Sequence, residues 1–197
     1  DMSQYVTGRD IAGILVAHTI QHMDTDDNEL WRWESFDHYD ILDVDNHVDL
    51  TLHTVDWTHC NSVEVDDDGN IILSTRNFNE ITKINRQTGE IIWRLGGKKN
   101  QFQFINDTRG FGRQHDARRH SNGNLILFDN GHYIIPQYSS YVEYDLDEQN
   151  LTATLVRRYT RDESIFTLSR GGVQELPNDN TLISWGENIN PFITEIN

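Results

Sequence analysis

One hairpin pattern recurs along this chain, and the recurrence limits the fold more than any other feature. The segment TIQHMDTDDNELWRW (19–33) matches EITKINRQTGEIIWRL (80–95): a strand, a polar turn, and a second strand with tryptophan near its end. YVEYDLDEQNLTATLVRRY (141–159) is a third copy, and FITEIN (192–197) begins a fourth. A second hairpin alternates with the first, in NSVEVDDDGNIILSTR (61–76), DARRHSNGNLILFDN (116–130) and GVQELPNDNTLISWG (172–186). Met23, Ile84 and Tyr144 hold matching places about 60 residues apart. Helical periodicity is nearly absent, and Asp, Asn and Gly separate the short β-rich runs.

One period is therefore two hairpins, or four strands. A four-stranded sheet of this size cannot bury both faces alone, so such units stack around an axis as propeller blades. The expected fold is all-β, a β-propeller of which about three and a half blades are present. The blades fall near 14–58, 59–100, 112–160 and 170–197, and residues 1–197 form a partial propeller domain. Asp68-Gly69-Asn70 and Asn122-Gly123-Asn124 supply turn residues that tolerate positive φ. The plainer alternative is a β-sandwich, but sandwiches seldom repeat a tryptophan-bearing hairpin at fixed spacing. Because the pattern starts and stops inside a unit, the chain is expected to be part of a longer protein or to be completed by further propeller segments.

Charge narrows the functions open to such a fold. Sixteen basic against 32 acidic residues give a net charge of −16. That argues against nucleic-acid binding, which needs a basic face, and against docking on anionic lipid. The longest apolar run, Ile11 to Ala17, is too short for a membrane span. The single cysteine, Cys60, excludes an internal disulfide. No Gly-x-Ser-x-Gly elbow, phosphate loop or zinc spacing is present, so no metal or other cofactor is expected.

The repeat serves as its own control. His59 in the second blade and His115 in the third stand at nearly equivalent places, where the fourth blade has Gly171-Gly172. The fold does not require histidine there, and innermost propeller strands line the central channel. Asn61 shares a strand face with His59 if the strand is regular, and Arg76 ends the next strand. Six of the sixteen basic residues (Lys98, Lys99, Arg109, Arg113, Arg118, Arg119) lie within residues 98–119. A positive pocket in an acidic protein suits an anionic substrate, and an arginine fork suits a tetrahedral oxyanion. Neutral imidazole is a competent nucleophile, and a second histidine can protonate a leaving oxygen.

The segments DWTHCNSVEV, EIIWRLGG, RQHDARR and LFDNG together resemble the arylsulfotransferase family, the PAPS-independent aryl-sulfate sulfotransferases with a β-propeller fold. The similarity runs from about Ile14 to Trp185. It implies ping-pong transfer of a sulfuryl group from a phenolic sulfate ester to a phenol through a sulfohistidine. Carried over, His115 is the nucleophile. His59 and Asn61 hold the sulfuryl oxygens and assist the leaving phenolate, Arg76 is the anion clamp, and Ser169 is a candidate hydroxyl from a later blade. The family also uses a histidine from an earlier blade, expected upstream of Asp1, while His18 and His22 lie in a hairpin that reads as structural. The resemblance further implies a secreted or periplasmic protein whose partners are aromatic sulfate esters and phenols, as a homo-oligomer or with additional propeller segments. Two alternatives remain: a non-catalytic propeller used for binding or assembly, and, less favoured, a quinone-cofactor dehydrogenase propeller, whose metal ligands this sequence does not supply.

Several residues read more simply as structure. Trp31, Trp93 and Trp185 suit blade packing, whereas Trp57, beside His59, is a candidate aromatic wall for a phenyl ring. Asp66-Asp67-Asp68 reads as a turn rather than a calcium loop. Arg118 and Arg119 cannot both face one pocket on an alternating strand.

Overall fold

The computed structural model describes residues 7, 13–162, 164–187, 190 and 192–197. Ile11 and Ala12 of the apolar run noted above lie outside the described residues. The described residues are mostly β-strand, turn and loop, with one short α-helix, α1 (Ser35–His38), and short 3-10 turns at Ile41–Asp43 and Arg76–Phe78. None of their helices is long and apolar enough to cross a membrane.

Both repeated hairpins form. The first type gives β2 (Thr19–Met23) with β3 (Glu29–Glu34), β7 (Glu80–Ile84) with β8 (Ile91–Gly96), and β12 (Ser140–Asp147) with β13 (Thr152–Tyr159). The second gives β5 (Cys60–Val65) with β6 (Ile71–Thr75), β10 (His115–Arg119) with β11 (Leu125–Asp129), and β14 (Gly172–Glu175) with β15 (Thr181–Ser184). Pairing β6 with β7 yields the antiparallel sheet β5-β6-β7-β8. Pairing β11 with β12 yields β10-β11-β12-β13, extended by the parallel strand β9 (Gln103–Ile105). β14-β15 gains β16 (Ile193–Ile196) as a third strand. β1 (Ile14–Val16) pairs in parallel with β4 (Thr54–Asp56).

The repeat extends to backbone detail. Met23, Ile84 and Tyr144, matched in the sequence, each sit immediately after a β-bulge in their hairpin. In the second hairpin the turn closes the same way three times. Asp66, His120 and Leu176 each donate N–H to the carbonyl four residues on, at 2.8 Å. Gly69, Gly123 and Asp179 occupy the left-handed position, with φ of 83°, 90° and 63°.

Strand alternation then sorts side chains to two faces. On β6, Ile71 and Leu73 join a core with Trp33, Tyr39, Trp57 and Phe78, while Ile72 faces the opposite way. That opposite core combines Ile72, Ile81, Trp93 and Leu95 with Leu125, Leu127, Val142 and Tyr144 of the next sheet. On β11, Ile126 and Phe128 turn to a third core with Val173, Ile183 and Trp185. Each middle sheet is thus buried on both faces by its sequence neighbours, and each fully buried large apolar side chain contributes about 1.5–3 kcal/mol.

Trp93 and Trp185 are core residues, as the sequence suggested, and Trp31 is partly buried beside Trp33. Trp57 is not an aromatic wall. It is fully buried among Phe36, Tyr39 and Phe78, and its indole N–H donates to the Ile41 carbonyl at 3.1 Å. The aspartate triplet is a turn whose outer carboxylates pair with Lys83, at 2.9 Å for Asp66 and 2.7 Å for Asp68.

Candidate functional site

β10 packs against β5, and β14 packs against β10 and β11, so the first strands of successive sheets lie side by side. His59 immediately precedes β5 and His115 opens β10, which brings both to one edge of the stack. The charges of His59 and Arg76 both act on His115. The strand at His59 is not regular, contrary to the premise of the face argument. His59 has φ 48°, and a bulge separates Cys60 from Ser62. An equivalent bulge follows His115, with Asp116 at φ 53°. Bulges of this kind re-aim side chains beside functional sites. Arg113 and Arg170, also at the site, are left-handed too, at 57° and 66°.

The hydrogen bonds at His115 fix its chemistry. The Asn130 amide donates from Nδ2 to the Thr167 carbonyl at 3.1 Å and the Arg170 carbonyl at 3.0 Å. That turns Asn130 Oδ1 toward His115 Nδ1, 2.7 Å away, so Nδ1 carries the proton and donates it. Nε2 is left with its lone pair and accepts from the Arg170 N–H at 3.3 Å. Burial pushes the His115 imidazole below its ordinary pKa, and the nearby charges of Arg76 and His59 push it the same way. A half-buried, neutral imidazole whose unprotonated Nε2 is held only by one backbone N–H is the form that acts as a nucleophile once that contact is given up to the substrate.

His59 is half-buried, and its Nδ1 is hydrogen-bonded to the Asp56 carboxylate, which orients the ring and leaves Nε2 for proton transfer. His18 lies against the same group: its Nδ1 is 2.8 Å from Thr58 Oγ1, and burial, opposed by Asp56 and assisted by His59, lowers its pKa. Arg76 does not end β6 but opens the short helical turn Arg76–Phe78. It donates from NH1 to Asn77 Oδ1 and from NH2 to the Leu168 carbonyl, both at 3.1 Å. Asn61 donates to the Gln114 carbonyl at 2.6 Å, so it braces the backbone entering His115. The Ser169 hydroxyl donates to Glu187 at 2.6 Å.

The basic run of residues 98–119 does not form one pocket. Lys98 reaches the Leu42 carbonyl, and Lys99 lies near Asp43. Arg109 stacks on Tyr138, with its guanidinium carbon 3.8 Å from the ring centre. Exposed Arg118 pairs with Asp116, and Arg119 ties β10 to Asp66 of the preceding sheet at 2.8 Å. Only Arg113 of that run stays beside Arg76. Sequence reasoning gave no role to Asp56, His18, Asn77 or Asn130, and counted Arg113 only within the basic run. Asn130 belongs to the LFDNG run that carries the resemblance, and that was the one signal for it.

A family model described as Arylsulfotransferase (ASST) matches residues 2–195. No curated protein matches the chain. Among solved structures, a protein of unknown function from Bacteroides caccae, with a crystal structure at 1.35 Å resolution, aligns at 13% identity and a TM-score of 0.47. The alignment covers 98% of this chain and 58% of that one, so the chain spans little more than half its length.

Proposed function

Because this chain belongs to the arylsulfotransferase family, we propose that it moves a sulfuryl group from an aryl sulfate ester to a phenol, with His115 as the covalent carrier. The observation that carries this reading is the His115–Asn130 hydrogen bond, which keeps the proton on Nδ1 and leaves Nε2 unprotonated, within reach of the Arg76 charge and held only by the Arg170 N–H. Nε2 attacks the ester sulfur, the S–O bond breaks, and its electron pair leaves on the phenolate. His59, oriented by Asp56, supplies the proton to that oxygen. Arg76 stabilises the sulfuryl oxygens as charge shifts through the transition state. In the second half the acceptor phenol loses its proton to His59 and attacks sulfur, and the S–N bond breaks to regenerate neutral His115.

The stacked sheets fit a propeller whose remaining blades lie in other segments, with a secreted or periplasmic setting as in the family. Asn61 acts by bracing Gln114. Ser169 joins the site only if its hydroxyl leaves Glu187. His18 is the better candidate for the extra histidine, since it already abuts the Asp56–His59 pair.

The test is intact-protein mass spectrometry after a short pulse with 4-nitrophenyl sulfate. An adduct of about 80 Da that maps to His115 and disappears in His115→Ala is the expected result. If wild-type protein shows neither adduct nor phenol release, the transferase reading fails and a binding propeller remains.

A further inference from the structure

Asn77 is the meeting point of two arginines. Its Oδ1 accepts from Arg76 NH1 at 3.1 Å and from Arg113 NH1. The amide cannot turn away, because its Nδ2 donates to the Asp56 carbonyl at 2.6 Å and its backbone N–H to the Thr58 carbonyl. Arg113 is buried, at 4% exposure, and its left-handed backbone is pinned by its own N–H donating to Asn79 Oδ1 at 2.8 Å. Two guanidinium groups therefore share one neutral oxygen.

Their charges are poorly matched by acids. The nearest carboxylate to Arg113, Asp45, is 3.7 Å away and already accepts from His47 and Asn79. Arg76 has no carboxylate at ion-pair distance among the described residues. Asp56 and Glu187 act on it only at longer range, and they are bonded to His59 and Ser169. The Nε atoms of both arginines are buried with no hydrogen-bond partner. The neighbouring Tyr133 ring, 5.4 Å from the Arg113 guanidinium, offers a π face and no carboxylate, and His132 Nδ1 is unpartnered. Positive charge in such excess, with Arg113 buried and Arg76 half-buried, is costly unless an anion completes it.

We infer that Arg113 is a positioning residue of the sulfuryl site: through Asn77 it fixes the Arg76 guanidinium and leaves the pair one oxyanion short of neutrality. This rests on the reading of Arg76 as the anion clamp. It also explains why the bridge is an asparagine. A carboxylate at position 77 would satisfy both arginines in the empty protein and compete with the substrate.

The test uses inorganic sulfate as the probe, followed by titration calorimetry at fixed ionic strength, together with thermal unfolding without sulfate. Asn77→Asp is expected to weaken sulfate binding by about 10- to 100-fold; its unfolding temperature sets the new charge pairing against the lost Nδ2 bond to the Asp56 carbonyl and serves only to show that the variant folds. Arg113→Gln weakens sulfate binding by about tenfold, and Arg113→Lys restores part of the loss. A merely structural Arg113 predicts unchanged sulfate affinity in folded Asn77→Asp and Arg113→Gln, and that result overturns the inference. Wild-type protein that binds no sulfate overturns it without any variant. Sulfate binding requires no chemistry, so a protein that binds sulfate as expected but never forms the His115 adduct refutes the transferase reading alone.

Discussion

Asn130→Asp isolates the electrostatic setting of His115 in one side chain. The substitution keeps an acceptor about where Asn130 Oδ1 now lies, 2.7 Å from Nδ1, but makes it an anion. An opposite charge at such range raises a histidine pKa by about 1–3 units, against the burial and arginine repulsion that now lower it. The wild-type group is neutral at pH 7, so its reactivity has no acid limb there. In the variant the acid limb moves up by that amount, and below it the reactive neutral fraction falls about tenfold per unit. Phenol-release bursts should slow at pH 7 and recover as the pH is raised.

The same change costs stability, because the Asn130 Nδ2 donations to the Thr167 and Arg170 carbonyls are lost. Buried acceptors left unpaired cost about 1–3 kcal/mol each. A raised histidine pKa stabilises the fold below the unfolded value near 6.5 and loses that contribution as pH rises. The stability gap to wild type should therefore narrow in acid. The assay is the His115 Cε1 proton shift followed by NMR titration, beside the pH profile of the burst. An unchanged or lowered His115 titration refutes the argument that Asn130 sets its charge state.

Three further outcomes follow from the same geometry. His18, His115 and His132 all titrate below their ordinary value, mainly through burial; the unfolded chain then binds protons that the folded one does not, and denaturant midpoints should fall as pH drops below about 6.5. Leu127→Ala, at a fully buried site between two sheets, should cost about 2–5 kcal/mol in equilibrium unfolding. Gly171→Ala places a Cβ 2.3 Å from the Phe128 ring at φ 98°, so loss of both stability and the Arg170–His115 contact is expected, read by unfolding and by the His115 NMR signal; a neutral result would mean that Phe128 yields easily.

The repeat made the fold legible. Turn residues and strand alternation are local properties, so each hairpin was readable in the sequence, down to the matched places of Met23, Ile84 and Tyr144 at equivalent bulges. His59 and His115 stood out for a related reason: a repeat shows which residues its own scaffold can do without. Arg76 also emerged from its position beside a strand end.

What the sequence could not decide was partnership. The run of basic residues suggested one pocket, yet Arg109, Arg118 and Arg119 turn to Tyr138, Asp116 and Asp66 instead. Trp57 looked available from its place beside His59, but burial against Phe36, Tyr39 and Phe78 removes it. Left-handed backbone at His59 and the bulge after it break the alternation from which the shared face of His59 and Asn61 was inferred. The sequence by itself determined the hairpins, their order and the two histidines, because period and turn chemistry act over a few residues. Only the tertiary structure decided which nitrogen of His115 carries the proton and which arginines share Asn77. Those choices depend on contacts between residues 15 to 40 apart in sequence, whose side-chain directions no local pattern specifies.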